Sequence, residues 1–218
     1  MLDLSGYQIH DLTLPLDDRV AGYSHTPAKT LEGDGWNARW LKIYSHAGTH
    51  MDAPLHFGVN GTTIDQFTPE TLMGNCWIVR VPAPEPGALL TPSIVEHLSK
   101  TFVAGDSLII HTGWSEQLGE AAYRDDLPRI SEELAHWCVE RGVRILGVEP
   151  PSVANVNDLP EVTKIHEILL GGDVRIVEGL TQLDAIRSDQ VYLMALPLKV
   201  AGGDGAPARV LAFEPKHI

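Results

Sequence analysis

Cysteine is scarce in this chain: Cys76 and Cys138 are the only two among 218 residues. Two thiols exclude a disulfide scaffold and a thiol-rich zinc fold. Each lies in apolar sequence, so both are expected as reduced core thiols of a cytoplasmic protein. Basic residues are outnumbered, 16 Lys and Arg against 29 Asp and Glu, giving a net charge of −13. An acidic surface repels nucleic acid and anionic membrane, so neither is expected as a partner. No apolar run approaches the roughly 18–20 residues that span a bilayer. The opening residues have no basic n-region or apolar h-region, so a secretory signal is not expected. There is no Gly-x-Ser-x-Gly elbow, which argues against a serine hydrolase of the α/β type. Repeats and low-complexity segments are also missing. The Pro-rich patch at 82–87 is too short to divide the chain and reads as a loop. One domain over residues 1–218 is expected.

Against this background the stretch at 45–57, SHAGTHMDAPLHF, is dense in chemistry. His46, His50, Asp52 and His56 fall within eleven positions. Imidazole and carboxylate without thiolate suit a divalent cation such as Zn²⁺, Mn²⁺ or Fe²⁺. Gly48 and Pro54 disfavour a helix here. A strand over 42–45 running into an irregular turn is expected instead. If the backbone stays extended, His50 and Asp52 face the same way.

The remaining pattern is that of a mixed α/β chain. Strands are expected over 7–14, 76–81, 107–111, 144–148, 174–177, 191–195 and 209–213. Helices are expected over 91–100, capped by Thr91, and over 132–141, capped by Ser131 and ended by Gly142. Residues 19–35 read as a long loop, a candidate lid carrying Tyr23 and His25. Strands outnumber helices, so a central mixed sheet or partial barrel is expected. Two further residues stand out downstream. His166 lies in a helical stretch, and Glu178 ends a short apolar strand. Taken alone, each is more often structural than ligating.

The 45–57 stretch resembles the signature His-x-Gly-Thr-His-x-Asp-x-Pro-x-His-Phe of the cyclase-like metal-dependent hydrolases. That family includes bacterial kynurenine formamidases (arylformamidases) and isatin hydrolases. Further similar segments are Asp11-Leu-Thr-Leu-Pro-Leu, His111-Thr-Gly-Trp114, Gly147-Val-Glu-Pro-Pro-Ser-Val153 and the closing run from Leu196 to Arg209. The resemblance therefore spans nearly the whole chain. Glu149 and Ala154 stand where many members carry Asp. The resemblance implies a swivelling β/β/α architecture. It also implies His46, His50 and Asp52 as ligands of a first metal. Asp52, His166 and Glu178 are then ligands of a second, Asp52 bridging where two ions bind. His56 reads from chemistry as either a further ligand or a proton carrier, and the resemblance favours catalysis.

The implied activity is metal-dependent hydrolysis of a C–N amide bond in a small aryl formamide similar to N-formylkynurenine, by metal-activated water. The alternatives are hydrolysis of a cyclic amide such as isatin, a cyclase or dehydratase using the same metal centre, and a metal-binding module without catalysis. The expected cofactor is Zn or Mn, one or two ions per subunit. The family commonly forms homodimers or homotetramers. Trp36, Trp40 and Phe57 flank the motif and read either as a platform for an aryl amide or as core and lid packing.

Overall fold

A computed structural model of the chain describes residues 4–216; residues 1–3 and 217–218, inside the single domain expected from sequence, lie outside the described residues. The strands in chain order are β1 (Tyr7–Asp11), β2 (Tyr23–Lys29), β3 (Ala38–Ile43), β4 (His50–Asp52), β5 (Met73–Arg80) and β6 (Leu89–Leu90). They are followed by β7 (Ser107–His111), β8 (Arg129–Ile130), β9 (Ile145–Val148), β10 (Arg175–Glu178), β11 (Gln190–Pro197) and β12 (Gly205–Pro215). The helices are α1 (Leu31–Asp34), α2 (Ala122–Asp125), α3 (Glu132–Glu140) and α4 (Leu159–Gly171).

Eight strands pair in the order β1-β12-β11-β5-β7-β9-β10-β4, and β4 also pairs with β12. That last pairing closes seven of the strands into a ring, with β1 alongside the outer half of β12. The ring is mixed. Strands β5, β7, β9 and β10 run parallel, while β4, β12 and β11 are antiparallel to their neighbours. The expected mixed sheet is therefore a closed barrel.

The parallel strands are apolar at their centres because both their faces are covered there. On β7, Ile109 points into a core that also holds Met51, Cys76, Ile145, Val177 and Val210, the barrel interior. Its neighbours Leu108 and Ile110 belong to a second core, packed with Leu134 and Cys138 of α3 and Ile165 and Leu169 of α4. Each such fully buried Leu or Ile contributes about 1.5–3 kcal/mol by leaving water. Gly147 makes room inside the barrel: a Cβ there would meet Leu180 at 2.8 Å and Ile109 at 2.9 Å. Both cysteines are free and buried, and burial pushes the Cys138 thiol up to about 12.

Helix α3 begins as expected, with Ser131 Oγ accepting from Leu134 N at 3.2 Å. Three expectations are corrected. The segment after Thr91 is a 3₁₀ turn, Pro92–Leu98, and the Thr91 hydroxyl bonds Ser93 instead of capping an amide. The expected strand over 42–45 is the end of β3 followed by a turn, and His50–Asp52 forms a strand of its own. The expected loop over 19–35 contains β2 and α1, and β2 pairs with β3 as an antiparallel hairpin. Most residues of that hairpin are exposed on both faces, so no alternation of apolar and polar residues marks it in the sequence.

Candidate functional site

The parallel strands all deliver their C-terminal ends to one rim of the barrel, where α/β sheets commonly bind ligands. Glu178 is the last residue of β10, and its register partner across the antiparallel pair is His50 of β4. Side chains alternate along a strand, so Asp52, two residues on, shares the His50 face. His50 Nε2 lies 3.2 Å from Glu178 Oε2 and 3.6 Å from Asp52 Oδ1.

Three local devices bring the other residues in. Gly48 adopts φ +63°, and this left-handed turn reverses the chain between His46 and His50. The loop is then latched by Thr49, whose hydroxyl donates to Gly179 O and accepts from Leu14 N. Pro54 opens a 3₁₀ turn over Pro54–Phe57 that carries His56. Helix α4 is capped by Asp158, which accepts from Glu161 N at 3.1 Å, and buries Ile165, His166, Leu169 and Leu170 on one face. The rim also needs a glycine on β12. A Cβ on Gly205 would meet His46 Cε1 at 2.6 Å.

The result is a cluster of four imidazoles and three carboxylates. His46 sits between Asp52 (Nδ1 to Oδ1, 2.8 Å) and Asp204 (Nε2 to Oδ2, 3.1 Å). His166 Nε2 lies 3.6 Å from Asp52 Oδ2 and 3.5 Å from Glu178 Oε1. His56 stacks on His46 with ring centroids 3.8 Å apart. Phe57 stacks on His166 at 4.3 Å.

His50 Nδ1 donates to Gly48 O at 2.9 Å, and His166 Nδ1 donates to Val162 O at 2.7 Å. A carbonyl only accepts, so Nδ1 carries the proton in each ring. In the neutral ring, Nε2 then presents its lone pair to the cluster. Glu178 is held in turn by Val153 N, 2.8 Å from Oε1. Asp52 Oδ2 is fully buried and has no hydrogen-bond partner among the described residues. An orphaned, buried carboxylate oxygen beside two oriented imidazoles is costly unless a cation completes it.

The donor atoms form two groups that share Asp52, namely His46–Asp52–His56 and His50–Asp52–Glu178, each with its atoms within 4.8 Å of one another. Such a set can hold a divalent cation. The resemblance implies His46 and His50 in one group, whereas distance alone sets His50 with Glu178 and His46 with His56. Pairing of β4 with β10 sets His50 against Glu178, while the turn at 44–49 carries His46 over to His56.

Charge in the cluster follows from these contacts. Burial pulls the His46 pKa down, but the hydrogen bonds and charges of Asp52 and Asp204 outweigh it and raise the value to about 9. His50 and His166 are raised for the same reason, burial opposing and Glu178 and Asp52 prevailing. Glu178 is held well below the usual carboxylate range by His166 and His50, despite its burial. His56 goes the other way. Burial pushes it below 6.5, aided by His46 and His166 and opposed by Asp52.

These side chains open into a cavity of about 380 Å³ that is also lined by Ala21, Gly22, Tyr44, Phe57, Arg124 and Val162. Of the three flanking aromatics read from sequence, Phe57 lines it. Trp36 and Trp40 do not, and are 57% and 74% exposed on the hairpin. Sequence reasoning missed Asp204, Tyr44 and Arg124. It noted Glu149 only as a departure from family pattern. That carboxylate is fully buried and accepts from Thr112 N, Thr112 Oγ1, Gly113 N and Ser115 Oγ, which fixes the turn after β7. No periodicity marks an isolated Asp or Arg in a loop, so only convergence in space identifies them.

The chain is 31% identical to a kynurenine formamidase of Erythrobacter litoralis over 84% of this chain and 80% of that protein. It is 28% identical to a kynurenine formamidase of Bordetella petrii over 82% and 81% of the two chains. Its fold is similar to that of isatin hydrolase A from Labrenzia aggregata, with a TM-score of 0.85, 23% identity and coverage of 97% and 95%. The Cyclase family, described as "Putative cyclase", matches residues 10–155, a span that includes the whole 45–57 motif, Glu149 and the strands β2 to β9. With two thirds of its length under that match, the chain belongs to the Cyclase family.

Proposed function

We propose that this protein is a metal-dependent amidohydrolase that cleaves the C–N bond of a small aryl formamide similar to N-formylkynurenine. The observation that carries this reading is the buried Asp52 carboxylate, its Oδ2 without a hydrogen-bond partner among the described residues, which faces His50 with one oxygen and His166 with the other, both imidazoles having their Nδ1 protons already committed to carbonyls. The kynurenine formamidase names of the relatives support the choice of an acyclic formamide. The isatin hydrolase fold likeness supports a cyclic amide such as isatin as the second reading.

His46, His50, Asp52, His166 and Glu178 are the proposed metal ligands. Their nitrogen and oxygen donors, without thiolate, fit Zn²⁺ or Mn²⁺, one or two ions per subunit. When bound, a divalent cation supplies Lewis-acid polarisation of the carbonyl and acidifies water. His56 is the proposed proton carrier. Its depressed pKa keeps the ring neutral at pH 7, ready to accept a proton from water and return it to the departing amine. Asp204 orients His46 from its far nitrogen. Phe57 packs beside His166 and His56 and offers an apolar wall to an aryl group.

Purified protein is expected to contain Zn or Mn by elemental analysis and to hydrolyse N-formylkynurenine faster than isatin in side-by-side assays. Chelation is expected to abolish both activities. Full activity in chelated protein would refute the proposal.

The reading extends to assembly and location. The hairpin β2–β3 and its tip expose Leu31, Trp36, Trp40 and Leu41, a large apolar area for a free surface. It carries Lys29, Arg39 and Lys42 against Glu32 and Asp34, in a chain of net charge −13. A basic, apolar arm on an acidic body complements a second copy of the same chain. We therefore assign a homodimer, or a tetramer built from it. Trp40→Asp is expected to shift the mass measured by light scattering to that of the monomer, and an unchanged mass would reject this surface. The two buried, free thiols fit a reducing compartment, which supports the cytoplasm. Among the described residues no helix is long and apolar enough to cross a membrane.

A further inference from the structure

The catalytic cavity has a second pole. Among the described residues Arg124 is the sole Lys or Arg that lines it, in a chain where acidic residues outnumber basic ones 29 to 16. Arg124 also lines a smaller adjoining cavity of about 110 Å³, together with Arg19, Tyr123 and Leu118. The two cavities share Ala21, His46, Arg124 and Pro151, so they adjoin beside the cluster. Arg124 thus stands at the junction and Arg19 in the smaller cavity, next to a site otherwise built of carboxylates and imidazoles.

Arg124 is held in place. Its Nη1 donates to Asp125 Oδ1 at 2.7 Å and to Asn157 Oδ1 at 2.9 Å, while Asn157 Nδ2 also donates to Asp125 Oδ1. Its Nε and Nη2 have no hydrogen-bond partner among the described residues. Arg19 is gripped by Asp17 through Nε and Nη2, which leaves Nη1. Tyr123, beside Arg124 on α2, is anchored through its hydroxyl to Glu149 O at 2.9 Å. The fork is therefore preorganised and only half used, the arrangement that recognises a planar anion through paired charge-assisted hydrogen bonds.

Resting on the amidohydrolase reading above, we propose that Arg124, seconded by Arg19, is the specificity-determining residue for a carboxylate on the substrate. The amide then lies against the His–Asp–Glu cluster, its aryl group along Phe57 and Val162, and its carboxylate at the guanidinium. Without Arg124, an anionic substrate meets Asp52, Asp204 and Glu178 with no guanidinium lining the larger cavity to offset them. The substrate class is an anionic aryl amide, and a neutral amide of the same size is the poorer substrate.

The test compares N-formylanthranilate with formanilide, which differ by one carboxylate. The ratio of their kcat/KM values is expected to fall at least about tenfold in Arg124→Gln, the size of one lost charge-assisted pair, and to recover in part in Arg124→Lys. A ratio cancels any general damage to the enzyme. In parallel, calorimetry measures binding of 2-aminobenzoate to the wild-type protein and to Arg124→Gln, with and without chelator. Binding is expected to weaken about tenfold in the variant under both conditions. If both amides are hydrolysed with an unchanged ratio and 2-aminobenzoate binds the variant equally well, the carboxylate site is refuted and the hydrolase reading stands. If neither amide is hydrolysed but anion binding still depends on Arg124, the hydrolase reading falls and the carboxylate site stands.

Discussion

Replacing Asp52 with Ala is expected to strip the protein of its metal and to lower kcat/KM at least about a thousandfold, since a catalytic cation supplies several kcal/mol of transition-state stabilisation. Asp52 is the shared member of both donor groups and is fully buried. One of its oxygens meets His46 at 2.8 Å, and the other has no hydrogen-bond partner among the described residues. No neighbouring group replaces it, because the next carboxylate, Glu178, is already engaged by His50, His166 and Val153 N. The variant also leaves His46, His50 and His166 facing one another with one anion fewer, so their mutual repulsion disfavours cation binding further. Asp52→Asn is the companion variant. It keeps the shape of the side chain and removes only the charge. Elemental analysis of both variants, with a thermal melt to confirm folding, checks the outcome. A full complement of metal with turnover within tenfold of wild type would remove Asp52 from the centre of the site.

His56→Ala is expected to separate chemistry from binding. Metal content stays at the wild-type level while kcat falls by about a hundred- to ten-thousandfold, the range associated with loss of a positioned proton carrier. The geometry distinguishes this residue from its neighbours. His56 is the most accessible imidazole of the cluster, with 25% of its side chain exposed against 8% for His46 and less for His50 and His166. Its Nδ1 lies 3.8 Å from Asp204, too long for a hydrogen bond, so neither ring nitrogen is committed within the cluster. Stacking on His46 and an edge contact with Phe57 hold the ring while leaving it open to the cavity. Loss of metal in parallel with loss of turnover would make His56 a ligand instead.

The resemblance and the local spacing make most of the cluster legible in the sequence. His46, His50, Asp52 and His56 are close in sequence, and residues so close stay close in space whatever the fold. His166 and Glu178 were different. Each was bland alone, and only the family pattern pointed to them. The barrel delivers them because α4 packs on the outer core while β10 pairs with β4, which sets Glu178 opposite His50. The hairpin was illegible for the opposite reason. With both faces in solvent, β2 and β3 carry no hydrophobic period, and Pro27 within β2 and the Gly and Asp between the strands read as loop. Trp36 and Trp40 are near the motif in sequence alone, because the hairpin carries them outward into solvent.

By itself, the amino-acid sequence determined the chemical character of the site: nitrogen and oxygen donors without thiolate, turn residues that stop a helix from forming among them, and an apolar strand set able to bury a barrel. Donor type and local chain geometry are properties of covalent structure and near neighbours, so they survive in one dimension. Tertiary structure alone decided which donors share Asp52, that Asp204 clamps His46 from β12's side of the rim, and that Arg124 faces the same cavity. Those relations depend on ring closure between β4 and β12 and on loops more than a hundred residues apart in the chain, such as Ser45 and Asp204, meeting at one rim. No linear pattern encodes a distance of that kind.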